Sequence, residues 1–173
     1  CKSYGIDKIT IEPNDIIVDI GANYGDLGIY LRKFRPILYG FEPDPEPFKA
    51  LKENNYHKIF QVACSDRKGF SKLYLNSTHA DSSMIATNLN KKFLEVETDT
   101  LDNLLKEKTQ IKLIKIEAEG FEPEILRGSL NIIKNTEYIC VDGGPERGPK
   151  NSTTIEELIN ILKDNNFNIL SLN

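Results

Sequence analysis

Long apolar runs are missing from this 173-residue sequence. None reaches the roughly 18–20 residues a membrane-spanning helix needs, so no membrane span is expected. Residues 1–9 lack the shape of a signal peptide, and an initiator methionine is absent, so the sequence reads as a fragment or a trimmed chain. Cysteine is scarce and scattered, at Cys1, Cys64 and Cys140. An odd, unclustered set excludes a disulfide scaffold and a zinc site, and it fits a reducing cytoplasm, the location expected here. Basic excess is also absent. The formal charge of −4 gives no general attraction to nucleic acid or to an anionic membrane surface. Repeats and low-complexity linkers are lacking too, and the length suits one domain over residues 1–173.

What is present is an alternation of strand-like and helix-like segments. Ile16–Ile20 is a short apolar run suited to a buried parallel strand. After a glycine turn, Leu27, Tyr30, Leu31 and Phe34 fall at helical spacing. Ile37–Phe41 reads as a second strand. Asp44 and Pro45 then open a helix expected to run to about Asn55. Residues 59–63 read as a third strand. Residues 70–75 and 93–98 alternate like half-exposed strands, and the polar stretch 76–90 between them reads as a loop. Ile111–Ile116 is a fourth buried strand. Pro123 starts a helix with Leu126, Leu130 and Ile133 on one face. Residues 138–141 form a fifth strand. Thr154 and Glu157 suggest a capping box before a helix whose core stripe is Ile155, Leu158, Ile159 and Leu162. Residues 167–172 read as a last strand. This order implies an α/β, Rossmann-like fold: a mostly parallel twisted sheet with helices on both faces and extra strands in a middle insertion.

Two segments carry chemistry. The first is Asp19-Ile-Gly-Ala-Asn-Tyr-Gly25. In an open α/β sheet ligands bind at the carboxyl ends of the strands. There Gly21 permits a sharp turn and Gly25 lets the next helix start close to a ligand. Asp19 either accepts from a ligand ammonium or fixes the turn, while Ala22 and Asn23 complete it. About 20 residues on, Glu42 ends the second strand beside Pro43, placed to accept from both ribose hydroxyls of an adenosine-type ligand. The dinucleotide fingerprint needs a glycine where Asn23 stands. A side chain there obstructs a pyrophosphate, which disfavours NAD and suits S-adenosylmethionine (SAM), a ligand without phosphate. Cys64, Ser65 and Asp66 follow the third strand, near the expected adenine, or form an ordinary polar turn.

The second segment, Lys115-Ile-Glu-Ala-Glu-Gly-Phe-Glu122, ends the fourth strand. Lys115, Glu117, Glu119 and Glu122 are four ionisable groups where a buried strand opens, costly unless solvated or paired. Either they carry acceptor chemistry, or Lys115 simply pairs with a neighbouring glutamate at a solvated strand end. Like charges so close are expected to raise at least one carboxylate pKa, as suits a general base.

Together the stretches VDIGANYG at 18–25, GFEPDPEPF at 40–48, VACSDRKG at 62–69, TLDNLL at 100–105 and IKIEAEGFEPEILRGS at 114–129 resemble the FkbM family of SAM-dependent methyltransferases. The resemblance spans about residues 16–148. It implies methyl transfer from SAM, often to a hydroxyl of a sugar, polysaccharide unit or natural product, so the expected partner is a small-molecule or glycan acceptor. Two departures stand out. Glu117 lies where the family commonly has Asp, and the closing two-stranded hairpin of the sheet is incomplete. His79, in the polar middle loop, and Asp142, Glu146 and Arg147, after the fifth strand, are candidates for holding the acceptor. Arg147 suits an anionic or sugar-phosphate group, or else a surface ion pair. No compact His/carboxylate motif supports a metal. Rival readings are an NAD- or nucleotide-sugar-dependent Rossmann enzyme, and a non-catalytic SAM-binding domain.

Overall fold

A computed structural model of the chain describes residues 5–75, 82–86, 92–105, 109–147 and 152–172. Its centre is a five-stranded sheet of β1 (Ile16–Ile20), β2 (Ile37–Phe41), β3 (Lys58–Phe60), β7 (Ile111–Ile116) and β8 (Thr136–Val141). The order is β3-β2-β1-β7-β8 and every pairing is parallel. β1 and β7 are buried along nearly their whole length because helices and loops cover both sides of the sheet. The chain runs outward from β1 through β2 to β3, then returns to place β7 on the other side of β1. Strand order therefore reverses between β1 and β7, and a crevice opens at their carboxyl ends.

The helices follow local signals. α1 (Asp26–Leu31) buries Leu27 and Leu31, with Tyr30 and Phe34 packed against the same cluster, as their spacing predicts. α2 (Pro45–Leu51) starts as expected: the Asp44 side chain accepts from the Glu46 amide at 3.0 Å, and proline opens the first turn. It ends at Leu51, short of Asn55, which has φ 59°. α3 (Leu101–Leu104), capped by Thr100, has no counterpart in the expected order. α4 (Glu122–Arg127) is cut short at Gly128, where a Cβ would stand 1.8 Å from the Ser65 carbonyl oxygen. Leu126 and Ile133 are buried, but Leu130, beyond the break, is exposed. α5 (Ile155–Asp164) lies where predicted, but the capping box does not form. Thr153, not Thr154, accepts from the Ile155 amide, and Ile155 itself is exposed.

Two strand expectations change. Residues 59–63 do not form one strand: β3 pairs with β2, whereas β4 (Ala63–Cys64) joins β5 (Gly69–Leu75) and β6 (Lys92–Asp99) in a second sheet of order β4-β6-β5. β3 is only partly buried and β4 is fully buried, with the exposed Gln61 between them. The insertion strands do form, as β5 (Gly69–Leu75) antiparallel to β6 (Lys92–Asp99). Residues 167–172 make no ladder among the described residues. Phe167 packs on the main core, while Leu170 and Leu172 are 76% and 72% exposed. A strand needs a hydrogen-bonded neighbour as well as an alternating pattern.

Candidate functional site

A narrow cleft of about 60 Å³ opens at the carboxyl ends of the central strands. Ile20 and Gly21 of the glycine turn, Glu42 and Pro43 after β2, Cys64 of β4, and Glu117 and Ala118 after β7 line it. Leu73 of β5, with Ser82 and Met84, adds a wall from the insertion.

The glycine turn is locked from two sides. Gly21 has φ 68°, and a Cβ on it would lie 1.8 Å from the Glu117 carbonyl oxygen. Glycine is thus required at 21 by the neighbouring backbone as well as by the left-handed conformation. Gly25, φ 89°, packs against Leu51 and Asn54, and the Asn54 side-chain Nδ2 donates to the Tyr24 carbonyl. Ala22 is buried behind the turn, and its amide, like that of Gly21, donates to the Phe41 carbonyl.

Glu42 is 7% exposed and its carboxylate joins the two loops. One oxygen accepts from the Asn23 amide at 2.8 Å, the other from the Asp44 amide at 2.8 Å. Burial outweighs these bonds and pushes its carboxyl up to about 7. Each oxygen keeps a lone pair beyond its amide bond, so the group can still accept from a ligand in the cleft.

Asp19 does not line the cleft. It is fully buried, accepting from the Tyr56 hydroxyl and paired with Lys115 at 3.1 Å. Register makes this pair: Asp19 of β1 lies beside Lys115 of β7. Lys115 also meets Glu117 at 2.9 Å and donates to the Gly21 carbonyl at 2.8 Å. Burial opposes the ammonium's charge, but the two carboxylates more than offset it and hold its pKa above the ordinary lysine value.

The remaining acidic groups part company. Glu117 lines the cleft with a side chain 38% exposed. Glu119 is half-buried, with φ 50°, and its carbonyl accepts from the Ser83 hydroxyl at 2.7 Å. Glu122 is fully buried and ties the turn before α4, accepting from the Ala118 and Gly120 amides. Its pKa is raised mainly by burial. Arg147 engages Glu124 through both guanidinium NH2 groups, so its fork is occupied within the protein. Glu146 packs its backbone near Gly120, and Asp142 is exposed; neither lines the cleft. Cys64 is a buried thiol whose pKa burial raises. Ser65 is buried and donates to the exposed Asp66. His79 lies outside the described residues. Among the described residues no three potential ligands cluster for a metal, and no helix is long and apolar enough to cross a membrane.

Sequence reasoning missed Tyr56, Ser82, Met84, Ala118 and Phe121. Only Tyr56 left a trace: its ring fills the space beside Gly28 and Gly40, where Cβ atoms would come within 2.6 and 2.8 Å of it.

Comparison with known proteins adds the following. Residues 19–169 match the family model described as the methyltransferase FkbM domain. The chain is 25% identical over 150 residues to the hexuronic acid methyltransferase AglP of Haloferax volcanii, covering 83% of this chain and 62% of that protein. It is 26% identical over 157 residues to the 2-O-methyltransferase NoeI of Sinorhizobium fredii, covering 76% and 64%. The chain thus spans under two thirds of the length of these relatives. A solved methyltransferase FkbM from Methylobacillus flagellatus superposes with a TM-score of 0.62 at 14% identity, over 92% of this chain and 41% of that one, a likeness of fold.

Proposed function

The chain belongs to the FkbM methyltransferase family, and from that premise we propose that it binds SAM in the cleft and methylates a hydroxyl of a sugar, a polysaccharide unit or a natural product. The observation that carries the reading is Glu42. It is a nearly buried carboxylate at the end of β2, facing a cleft whose opposite wall holds Glu117.

Gly21 and Glu42 would hold the cofactor, with Pro43 and Cys64 alongside. Asn23 sits in the turn where a dinucleotide's pyrophosphate requires glycine, and SAM has no phosphate to meet it. When bound, SAM supplies a sulfonium methyl as electrophile. The protein's share is to align an acceptor hydroxyl and to take its proton. Alignment is worth on the order of 7–11 kcal/mol. Glu117 is the residue we assign to proton removal, a contribution of about 10²–10⁴-fold. A sugar acceptor accords with the names of the two relatives, a hexuronic acid methyltransferase and a 2-O-methyltransferase.

Thermal shift with SAM, S-adenosylhomocysteine (SAH), NAD and a nucleotide-sugar tests the cofactor. A ligand at 100 times its Kd stabilises by about 2.7 kcal/mol, roughly 5–10 °C for a chain of this size. SAM and SAH are expected to give that shift. A shift with NAD and none with SAH would refute the proposal.

A further inference from the structure

The two walls of the cleft meet at one buried cation. Lys115 is 5% exposed and touches both. On the cofactor side its ammonium donates to the Gly21 carbonyl at 2.8 Å; on the other it pairs with Glu117 at 2.9 Å. Behind it stands Asp19 at 3.1 Å, whose second oxygen accepts from Tyr56. The Tyr56 ring is wedged beside Gly28 and Gly40. The network therefore runs Tyr56–Asp19–Lys115 beneath the glycine turn and reaches the cleft at Glu117. The charge of Lys115 is felt by Glu42 as well.

We propose that Lys115, held by Asp19 and Tyr56, is a positioning residue that fixes the Glu117 carboxylate on the cleft wall and locks that wall to the cofactor turn. Charge balance alone does not explain the arrangement. Asp19 already neutralises Lys115 inside the protein. Glu117 has water available, and a carboxylate so exposed gains little stability from an ion pair. What the contact fixes is direction. Lys115 is immobilised by Asp19 and the Gly21 carbonyl, so it presents a fixed donor to the Glu117 carboxylate. The backbone repeats the link, since the Glu117 amide donates to the Ile20 carbonyl at 3.1 Å and the Glu117 carbonyl closes over Gly21.

The inference rests on reading Glu117 as the acceptor-side residue, and its test separates the two ideas. Carbon-detected NMR follows the titration of the Glu117 carboxyl in the wild type and in the double variant Asp19→Asn/Lys115→Met. The double change removes both buried charges together, leaving neither unpaired. Glu117 is expected to titrate at least about one pH unit higher in the double variant, through loss of its neighbouring cation. SAH affinity, measured by calorimetry, is expected to fall about tenfold or more as the Gly21 carbonyl loses its donor. A folded double variant in which Glu117 titrates as in the wild type, or SAH affinity is unchanged, overturns the proposal. If the double variant does not fold, Tyr56→Phe replaces it. Asp19 then draws Lys115 away from Glu117, whose titration moves up by a smaller, measurable step; no movement overturns the proposal. Wild-type protein that fails to bind SAH would sink the cofactor reading alone, because the titration needs no ligand.

Discussion

The protonation state of Glu42 should be visible in cofactor affinity. Its carboxylate already accepts one backbone amide on each oxygen, so ribose hydroxyls must use the remaining lone pairs. Protonation removes an acceptor and puts a donor in its place, so the ionised form is the one expected to bind. With its pKa in the free protein pushed up to about 7, the apparent Kd scales as 1 + 10^(pKa − pH). Between pH 8 and pH 6 that factor rises from about 1.1 to about 11, a tenfold loss or about 1.4 kcal/mol. At pH 7 binding should release about half a proton, so the calorimetric enthalpy of SAH binding should vary with the ionisation enthalpy of the buffer. Glu42→Gln should flatten the profile while weakening binding overall. A His79→Asn background, run in parallel, removes an imidazole, a group whose unperturbed pKa lies in the same range. An SAH affinity that changes less than twofold from pH 8 to pH 6, with no buffer dependence, would refute the assignment of Glu42 to the ribose.

The same residue affects stability. The folded pKa of Glu42 is raised from 4.5 to about 7, so the native state holds an extra proton between those values and stability falls as pH rises through them. The wild type should lose about 3 kcal/mol more than Glu42→Gln between pH 4.5 and pH 8 in urea unfolding; equal losses would contradict a buried, raised carboxyl. Gly21→Ala and Gly5→Ala form a matched pair, since the two glycines have φ 68° and 65°. Gly5 has nothing within 4 Å of an added Cβ and should cost only about 1–2 kcal/mol of left-handed strain. Gly21→Ala should cost at least about 2 kcal/mol more, because the Glu117 carbonyl must move. Equal losses would mean that the turn yields. Glu117→Gln should keep SAH affinity within a few-fold yet cut transfer to a sugar acceptor by about 10²-fold or more; retained turnover would clear Glu117 of the proton-removing role.

The fold was legible wherever one local signal sufficed. The apolar runs of β1, β2 and β7, the Asp44–Pro45 helix start and the alternation of β5 and β6 each carry their structure in a few neighbouring residues. What failed depended on partners far along the chain. After Phe60 the chain exchanges β2 for β6 as its ladder partner. The helix expected to bury Leu130 ends at Gly128, a position where the distant Ser65 carbonyl leaves no room for a side chain. Residues 167–172 have a strand's pattern and no ladder among the described residues.

The site divides the same way. Glu42 and Glu117 could be placed at strand ends by counting, because in a parallel sheet each carboxyl end opens on the same side. The behaviour of their neighbours could not, because it depends on register. Within one segment, Lys115, Glu117, Glu119 and Glu122 are four similar polar residues. Pairing β7 beside β1 puts Lys115 next to Asp19, two positions of opposite charge separated by most of the chain. That single pairing buries Lys115, points it at Gly21 and leaves Glu117 at the cleft wall, while Glu122 turns inward to the amides of Ala118 and Gly120. Gly21 follows the same logic. Its place suggested a glycine kept for a sharp turn; the turn is there, and in addition the atom nearest to a Cβ is the Glu117 carbonyl oxygen. The turn that would meet the cofactor and the strand end that would meet the acceptor are thus in backbone contact. A change that moves the backbone at either should therefore be read out at both.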